Sequence, residues 1–223
     1  MHLRKSKKSI IYFFLLIMFG SINNINLKNI EINKIKSINV NGLEKKEKEI
    51  ISEKIKDLNL ESIFFIDTFK IKKILETNPL VENYNVFINY PTSLKIYIIK
   101  TNFLARINID DNMFIVGSNG KLSDYNTINN ELPFIFGKPN IEEFLEFKKI
   151  FDQSKFKYVQ VKNLYFFPSK RWDIEFKNNK ILKLPEKFDQ DSLDHLFEFT
   201  NDKKFKNIKI IDARIKNQII LNE

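Results

Sequence analysis

The sequence predicts an α+β protein with three parts: a single N-terminal transmembrane helix, a β-α-α-β-β module, and a mostly antiparallel β-domain with two helices. Three observations lead to this prediction. An apolar run follows a basic tail, two short amphipathic helices then stand between predicted strands, and short strands separated by turn residues fill the remainder. Short helices that cover one face of a small sheet form a compact α/β module.

The composition is that of a folded protein without cysteine chemistry. The chain has 223 residues, of which 43% are hydrophobic, and a formal net charge of +9. Beyond the basic tail the two signs of charge are interleaved, so the clustered basic patch that is typical of nucleic-acid binding is missing. Disulfides, Cys-ligated zinc and thiol nucleophiles are excluded because there is no cysteine, although this does not fix the compartment.

The N-terminus joins a basic tail to an apolar run from Ile10 to Ile22. Positive charge is retained on the cytoplasmic side of a membrane, so we expect residues 1–9 to stay in the cytoplasm and the rest to be exported. The orienting side chains are Arg4, Lys5, Lys7 and Lys8. A membrane anchor over residues 10–27, with a tether over 28–34, and a cleaved signal peptide are both compatible with this run, which is short of the ~20 apolar residues of a spanning helix.

Residues 35–102 have the pattern of the small module. A first strand ends at the turn residue Gly42, and a helix follows in which four apolar residues share one face. These are Ile50, Ile51, Ile55 and Leu58. Asp67 is a suitable N-cap for a second helix, which Asn78-Pro79 ends because a proline disfavours helical backbone at the preceding residue.

A strand pair closes this module, with Tyr90-Pro91 at the connection. Alternation predicts that two sets of side chains point toward one face: Val86, Ile88 and Tyr90 on one strand, and Leu94, Ile96 and Ile98 on the other. A proline between strands removes no hydrogen bond from the ladder.

The sequence pattern of residues 103–223 predicts short strands and two helices. Turns are expected at Asp110-Asp111 and at residues 118–120. A capping box of Asn140 and Glu143 opens the first helix, and the second covers residues 189–202, with Leu193, Leu196 and Phe197 inward. Trp172 stands on an apolar strand and is expected in the core.

No pattern in the sequence indicates catalysis. His195 stands alone in a predicted helix, and the segment 116–121 lacks the spacing of a phosphate-binding loop and reads as a hairpin turn. The acid pairs Asp110-Asp111 and Asp189/Asp191 lie at turn or cap positions outside any EF-hand pattern. The sequence therefore predicts no enzyme, no cofactor, no metal and no small-molecule substrate.

The order of several motifs resembles the FtsQ/DivIB family of bacterial cell-division proteins. "INVNG", the helix stop at Pro79, "YPTSLKI" and the strand after it resemble the POTRA domain of that family. "ELPFIFG", "RWDIEFKNNKILKLP" and "KIIDARIKNQIIL" resemble its β-domain in family order. The family's Glu-x-x-Pro-x-Ala is replaced by Lys100 to Ala105, which lacks both the Glu and the Pro.

The resemblance implies a non-catalytic divisome scaffold that links early and late division proteins. It would be a single-pass protein of the inner membrane at the septum, with a cytoplasmic N-terminus and a periplasmic bulk. FtsB/FtsL-like proteins would bind the C-terminal edge strand, and an FtsK-like protein the POTRA domain. Following Asp212-Ala213, the docking residues would be Arg214, Ile215, Lys216, Asn217, Gln218, Ile219 and Ile220, with the partner joining as a strand.

Two alternatives come from other classes. The first is a POTRA-containing chaperone module of an outer-membrane assembly or secretion system, although one such unit followed by a mixed segment is unlike the serial units or long barrel of those proteins. The second is a secreted enzyme or binding protein that signal cleavage releases.

Overall fold

A computed structural model describes residues 7–22, 35–58, 66–124, 131–202, 204, 207–215 and 218–222. Predictions that fall on Arg4, Lys5, the tether over 28–34, Lys216 and Asn217 lie outside these residues. Internal contacts divide the chain into two units, Met1–Lys72 with Val86–Tyr97 and Lys73–Asn85 with Ile98–Glu223. The domain ranges 35–102 and 103–223 remain predictions.

Helix α1 spans Lys7–Ile22 and corrects the expectation of a membrane-spanning helix. It has 16 residues, which at ~1.5 Å per residue reach about 24 Å, whereas the hydrocarbon layer is ~30 Å thick. Among the described residues, no helix is both long and apolar enough to cross a membrane. The predicted single transmembrane helix over residues 10–27 is therefore wrong for the part of the chain that is described.

The next elements occur in the predicted β-α-α-β-β order. They are β1 (Ser37–Asn41), α2 (Lys45–Lys56), α3 (Thr68–Thr77), β2 (Val81–Asn89) and β3 (Ser93–Lys100). The three strands form a sheet in the order β1-β3-β2, and β1 runs parallel to β3. Gly42 follows β1 with a φ of 98°, a left-handed conformation that glycine adopts without steric cost.

Burial follows the predicted faces of this module with two exceptions. Leu94, Ile96 and Ile98 of β3 are buried, as alternation along a strand with one covered face requires. Ile50 is exposed, because the buried face of α2 is formed by Ile51 and Ile55. Tyr90 is exposed as well, since it lies in the turn after β2 rather than on the strand.

A nine-stranded sheet forms the centre of the rest of the chain. Its order is β12-β11-β10-β9-β8-β7-β4-β5-β6. The strands are β4 (Phe103–Ile109), β5 (Asn112–Gly117), β6 (Leu122–Asp124), β7 (Phe134–Phe136), β8 (Val161–Phe166), β9 (Trp172–Phe176), β10 (Ile181–Lys183), β11 (Ile210–Asp212) and β12 (Ile220–Asn222). Three neighbouring pairs are parallel, namely β4–β7, β7–β8 and β10–β11. The other pairings are antiparallel, as the sequence predicts for most of the sheet.

Helices α4 (Ile141–Gln153) and α5 (Gln190–Asn201) pack on one face of this sheet. The predicted capping box opens α4: the Glu143 amide donates to Asn140 Oδ1 at 2.7 Å, and the Asn140 amide donates to Glu143 Oε2 at 3.0 Å. Trp172 is buried, as expected, and its ring centroid lies 4.7 Å from that of Phe147. Aromatic pairs at this spacing stabilise a core beyond their buried area.

The segment around Lys100–Ala105 is organised by a polar cluster within the second unit. Thr101 is buried, and its hydroxyl donates to Glu82 Oε2 at 2.9 Å. Ser118 donates to the same carboxylate oxygen at 2.7 Å. Asn119 Nδ2 donates to the carbonyls of Pro79 and Val81, each at 2.9 Å. The Glu82 carboxylate therefore joins the start of β2 to the residues on either side of β4 and β5.

Candidate functional site

The candidate site is the end of the nine-stranded sheet that β12 forms. Strand β12 pairs antiparallel with β11, with Asp212 opposite Ile220 and Ile211 opposite Leu221. It stands last in the sheet order, so no described strand pairs with its other side. An unpaired edge presents N–H and C=O groups to which another chain can add as a strand.

The edge strand begins later than the sequence indicates. Among the predicted docking residues that the structure describes, only Ile220 belongs to a strand, and β12 continues to Asn222. Ile215 lies in an exposed bend, and the Gln218 amide donates to its carbonyl at 3.1 Å. Ile219 is partly buried against the core.

An ion pair fixes the chain where β11 ends. Arg214 Nε lies 2.8 Å from Oδ1 and 2.9 Å from Oδ2 of Asp212, and the backbone amide of Arg214 donates to Oδ1 at 3.1 Å. Hydrogen bonds from Arg214 are the largest cause that lowers the pKa of Asp212 below its usual value. The Arg214 side chain keeps 40% of its surface exposed. The pair therefore presents a cation beside the edge while it fixes the backbone.

A row of charged side chains crosses the sheet behind this pair. Lys183 is in register with Asp173 on one neighbouring strand and with Asp212 on the other. Asp173 is buried, and Arg171 Nε stands 3.6 Å from its Oδ1. Burial raises the pKa of Asp173, while Arg171, Lys183 and Arg214 oppose that rise.

Sequence reasoning assigned no role to this charged row. Alternation along β9, β10 and β11 places all three of its members on the face opposite the helices, because Ile174, Leu182 and Ile211 belong to the core. The signal that could have found it is the repeated spacing of base and acid two residues apart, in "RWD" and "DAR".

A second polar cluster lies on the same face, on β8 and β9. Glu175 accepts hydrogen bonds from Lys162 Nζ at 2.7 Å, Asn163 Nδ2 at 2.8 Å and the Tyr165 hydroxyl at 2.8 Å. These donors, with that of Lys162 the largest cause, lower the pKa of Glu175 to about 2. The ring of Tyr165 stacks on that of Phe136 with centroids 4.9 Å apart. This cluster ties β7, β8 and β9 together.

The acidic residues considered for metal binding have structural roles. Asp110 and Asp111 form a turn with φ values of 48° and 64°. Asp189 caps helix α5, accepting from the Ser192 amide at 2.9 Å. Throughout the ranges that the structure describes, no three side chains of His, Asp or Glu are grouped to hold a metal ion.

Comparison with known proteins gives a match to a family model and likenesses to solved structures. Residues 33–100 match the family model described as the POTRA domain, FtsQ-type. Among solved structures, the chain is similar to the major extracytoplasmic domain of the cell-division protein DivIB from Geobacillus stearothermophilus, at 13% identity and a TM-score of 0.32. That likeness covers 45% of this chain and 92% of the other. No curated protein matches this chain.

Proposed function

Because residues 33–100 match the FtsQ-type POTRA domain, we propose that this chain belongs to the FtsQ/DivIB family of bacterial cell-division proteins and is a non-catalytic scaffold of the divisome. It links early and late division proteins at the septum, with its folded units outside the cytoplasm. An FtsB/FtsL-like partner docks at the β12 edge, and an FtsK-like protein binds the POTRA domain. The observation that carries this proposal is the unpaired edge of β12 beside the Asp212–Arg214 ion pair.

Strand addition at β12 supplies only part of the affinity. The strand has three residues, and each main-chain hydrogen bond contributes a net ~1 kcal/mol in water. A partner therefore needs contacts beyond the ladder. Ile220 is 38% exposed on the face opposite the helices and offers an apolar contact beside the edge.

Arg214 offers the polar counterpart of this contact. Its Nε and Nη2 donate to Asp212, while a guanidinium carries five N–H donors in a planar fork. Donors on the exposed part of the side chain can bind a carboxylate of the partner, and charge-assisted hydrogen bonds of this kind are the stronger class. We therefore place an acidic residue of the partner next to its added strand.

The experiment compares two proline variants at the two ends of the sheet. Ile220→Pro removes the β12 amide that faces Asp212 and so detaches the edge strand from β11. Asp124→Pro places the same ring in β6, the terminal strand at the opposite end. The FtsB- and FtsL-like proteins of the same organism are captured in a pull-down, and circular dichroism checks folding. We expect Ile220→Pro to abolish capture and Asp124→Pro to retain it.

A second variant covers the case in which proline unfolds β12. Ile220→Asp keeps the backbone amide but puts a negative charge next to the docking edge, and we expect it to weaken capture as well. Slower hydrogen exchange of the amides of residues 220–222 in the complex identifies the strand addition directly. Undiminished capture by both variants at residue 220 rules out docking at this edge.

A further inference from the structure

The second surface of interest is a groove between the edge strand β1 and helix α2, within the first unit. Its volume is about 620 Å³. One wall is β1 from Ile38 to Asn41, and the other is a helical stripe that includes Lys45, Lys48, Ser52 and Lys56. These positions recur at the helical spacing of three and four residues, so the stripe runs along the whole helix beside the strand.

The backbone of β1 is available along this groove. Strand β1 is terminal in its sheet, and the Ser37 amide donates to the Thr92 carbonyl at 3.4 Å, toward β3. Because amide direction alternates along a strand and Ser37 is in register with Ser93, the amides of Asn39 and Asn41 also point toward β3. Those of Ile38 and Val40 point to the other side of β1, where no described strand pairs.

The side chains of the groove carry excess positive charge. Its lining contains four lysines, at positions 45, 48, 56 and 95, against two glutamates, at positions 49 and 53. In the described part of the chain, none of the four lysines forms an ion pair with a carboxylate. Lys45 and Lys48 stand on the first turn of α2, so two unpaired cations lie one above the other at one end of the stripe.

We propose that this groove binds an extended, acidic segment of a partner protein, which adds to β1 as a fourth strand. The dimensions agree, because five strand residues span ~17 Å and twelve helical residues span ~18 Å. The amides of Ile38 and Val40 fix the backbone of the segment, and its carboxylates lie against Lys45 and Lys48. This surface is separate from the β12 edge and does not depend on the function proposed for that edge.

The competing explanation is that the lysines protect the edge of β1 from aggregation, a use that lysine has on many edge strands. The two explanations differ in what an acidic peptide does. A protective edge gives no specific complex, whereas a binding groove discriminates between acidic and basic peptides of the same length and β-propensity.

The test uses the full-length chain labelled with ¹⁵N and two synthetic probes. The first is acetyl-Glu-Thr-Val-Thr-Val-Asp-Glu-amide, and the second has lysine at each acidic position. We expect the acidic probe to shift the amide resonances of residues 37–41 and to slow hydrogen exchange at Ile38 and Val40. The basic probe should leave these resonances unchanged at the same concentration.

Charge reversal on α2 supplies the matched controls. The double variant Lys45→Glu, Lys48→Glu should weaken binding of the acidic probe at least tenfold. Lys54→Glu, on the same helix but outside the groove lining, should bind as the unaltered chain does, and Ile220→Pro should as well. Equal binding of both probes, shifts away from β1, or an unaffected double variant with native circular dichroism would overturn the proposal.

Discussion

Arg214 and Asp212 form a two-pronged ion pair in which Nε lies 2.8 Å from Oδ1 and 2.9 Å from Oδ2. The acceptor is the last residue of β11, and the donor is two residues beyond it. The Arg214 amide also bonds the same carboxylate, so one side chain fixes both the direction of the backbone and that of the guanidinium. The geometry at the start of the segment leading to the edge strand therefore depends on the charge of Asp212.

Neutralising this carboxylate should weaken partner docking more than folding. Asp212→Asn removes the negative charge that orients Arg214, so we expect binding of the FtsB/FtsL-like partner to fall about tenfold, measured by titration calorimetry. Asp152→Asn, which breaks the Lys148–Asp152 ion pair on α4, is the control and should bind normally. Equal losses for both variants would show that the effect is only one of net charge.

Glu175 should make stability depend on pH in the acid range. Its pKa is lowered to about 2, below that of an unfolded glutamate at ~4.3. Its contribution to the free energy of unfolding is therefore complete above pH ~4.3 and is lost as the pH falls toward 2. Urea unfolding of Glu175→Gln should show a deficit of roughly 1 kcal/mol at pH 7 that shrinks toward pH 2.

The control for this prediction is Glu198→Gln, since Glu198 forms an exposed ion pair with Lys155 and such pairs contribute little to stability. A deficit for Glu175→Gln that is the same at pH 7 and pH 2 would mean that packing, and not the charge, stabilises the cluster.

Asn119 should stabilise the contact between the turn after β5 and the start of β2. Its amide donates to the Pro79 and Val81 carbonyls, and its Oδ1 accepts from the Lys121 amide at 3.0 Å. Asn119→Ala leaves these backbone groups without that partner and should lower the free energy of unfolding by about 2 kcal/mol. Asn178→Ala removes one exposed bond to the Lys180 amide and should cost less than half as much. Similar costs would contradict the role of Asn119.

Gly137 should tolerate no side chain. It has a φ of 97°, and a Cβ built on it would stand 2.2 Å from the Phe166 carbonyl oxygen. Gly137→Ala is therefore expected to destabilise the fold by about 3 kcal/mol or more, through the clash and the left-handed backbone together. Thermal unfolding measures the difference.

The variant Gly120→Ala separates the cost of the left-handed backbone from the cost of the clash. The φ of Gly120 is 73°, but the nearest atom to an added Cβ is a flexible Leu145 methyl at 3.4 Å. Gly120→Ala should cost about 1 kcal/mol, which is the penalty of the backbone conformation alone. If both variants lose the same amount, the close approach of Phe166 is not significant.

The sequence was sufficient for the features that local rules determine. Element order in the first module, the Asn140–Glu143 capping box and the core position of Trp172 each follow from spacing within a few residues. The prediction of a membrane-spanning helix was wrong because it extended the apolar segment past Ile22, where the described helix α1 ends. The face of α2 was shifted by one residue, since Ile50 and Ile51 are both apolar and periodicity alone does not choose between them.

The candidate docking site shows where sequence reasoning stops. The motif predicts a docking edge at residues 214–220, whereas β12 begins at Ile220. A hydrogen bond from the Gln218 amide to the Ile215 carbonyl precedes it, which no pattern in "IKNQII" reveals. The row of Asp173, Lys183 and Asp212 depends on strand register across three strands. Register joins residues that are far apart in the chain, so it becomes visible only once the sheet is formed.

The order of the strands has a consequence for synthesis. Strands β7 to β10 can pair with one another as soon as residue 183 has left the ribosome, but β11 and β12 are separated from them by helix α5 and emerge later. The proposed docking edge at β12 is thus completed after the other strands of the sheet. A nascent chain cannot engage a partner at β12 before the rest of this sheet is available to fold, so recruitment through this edge would follow completion of the sheet.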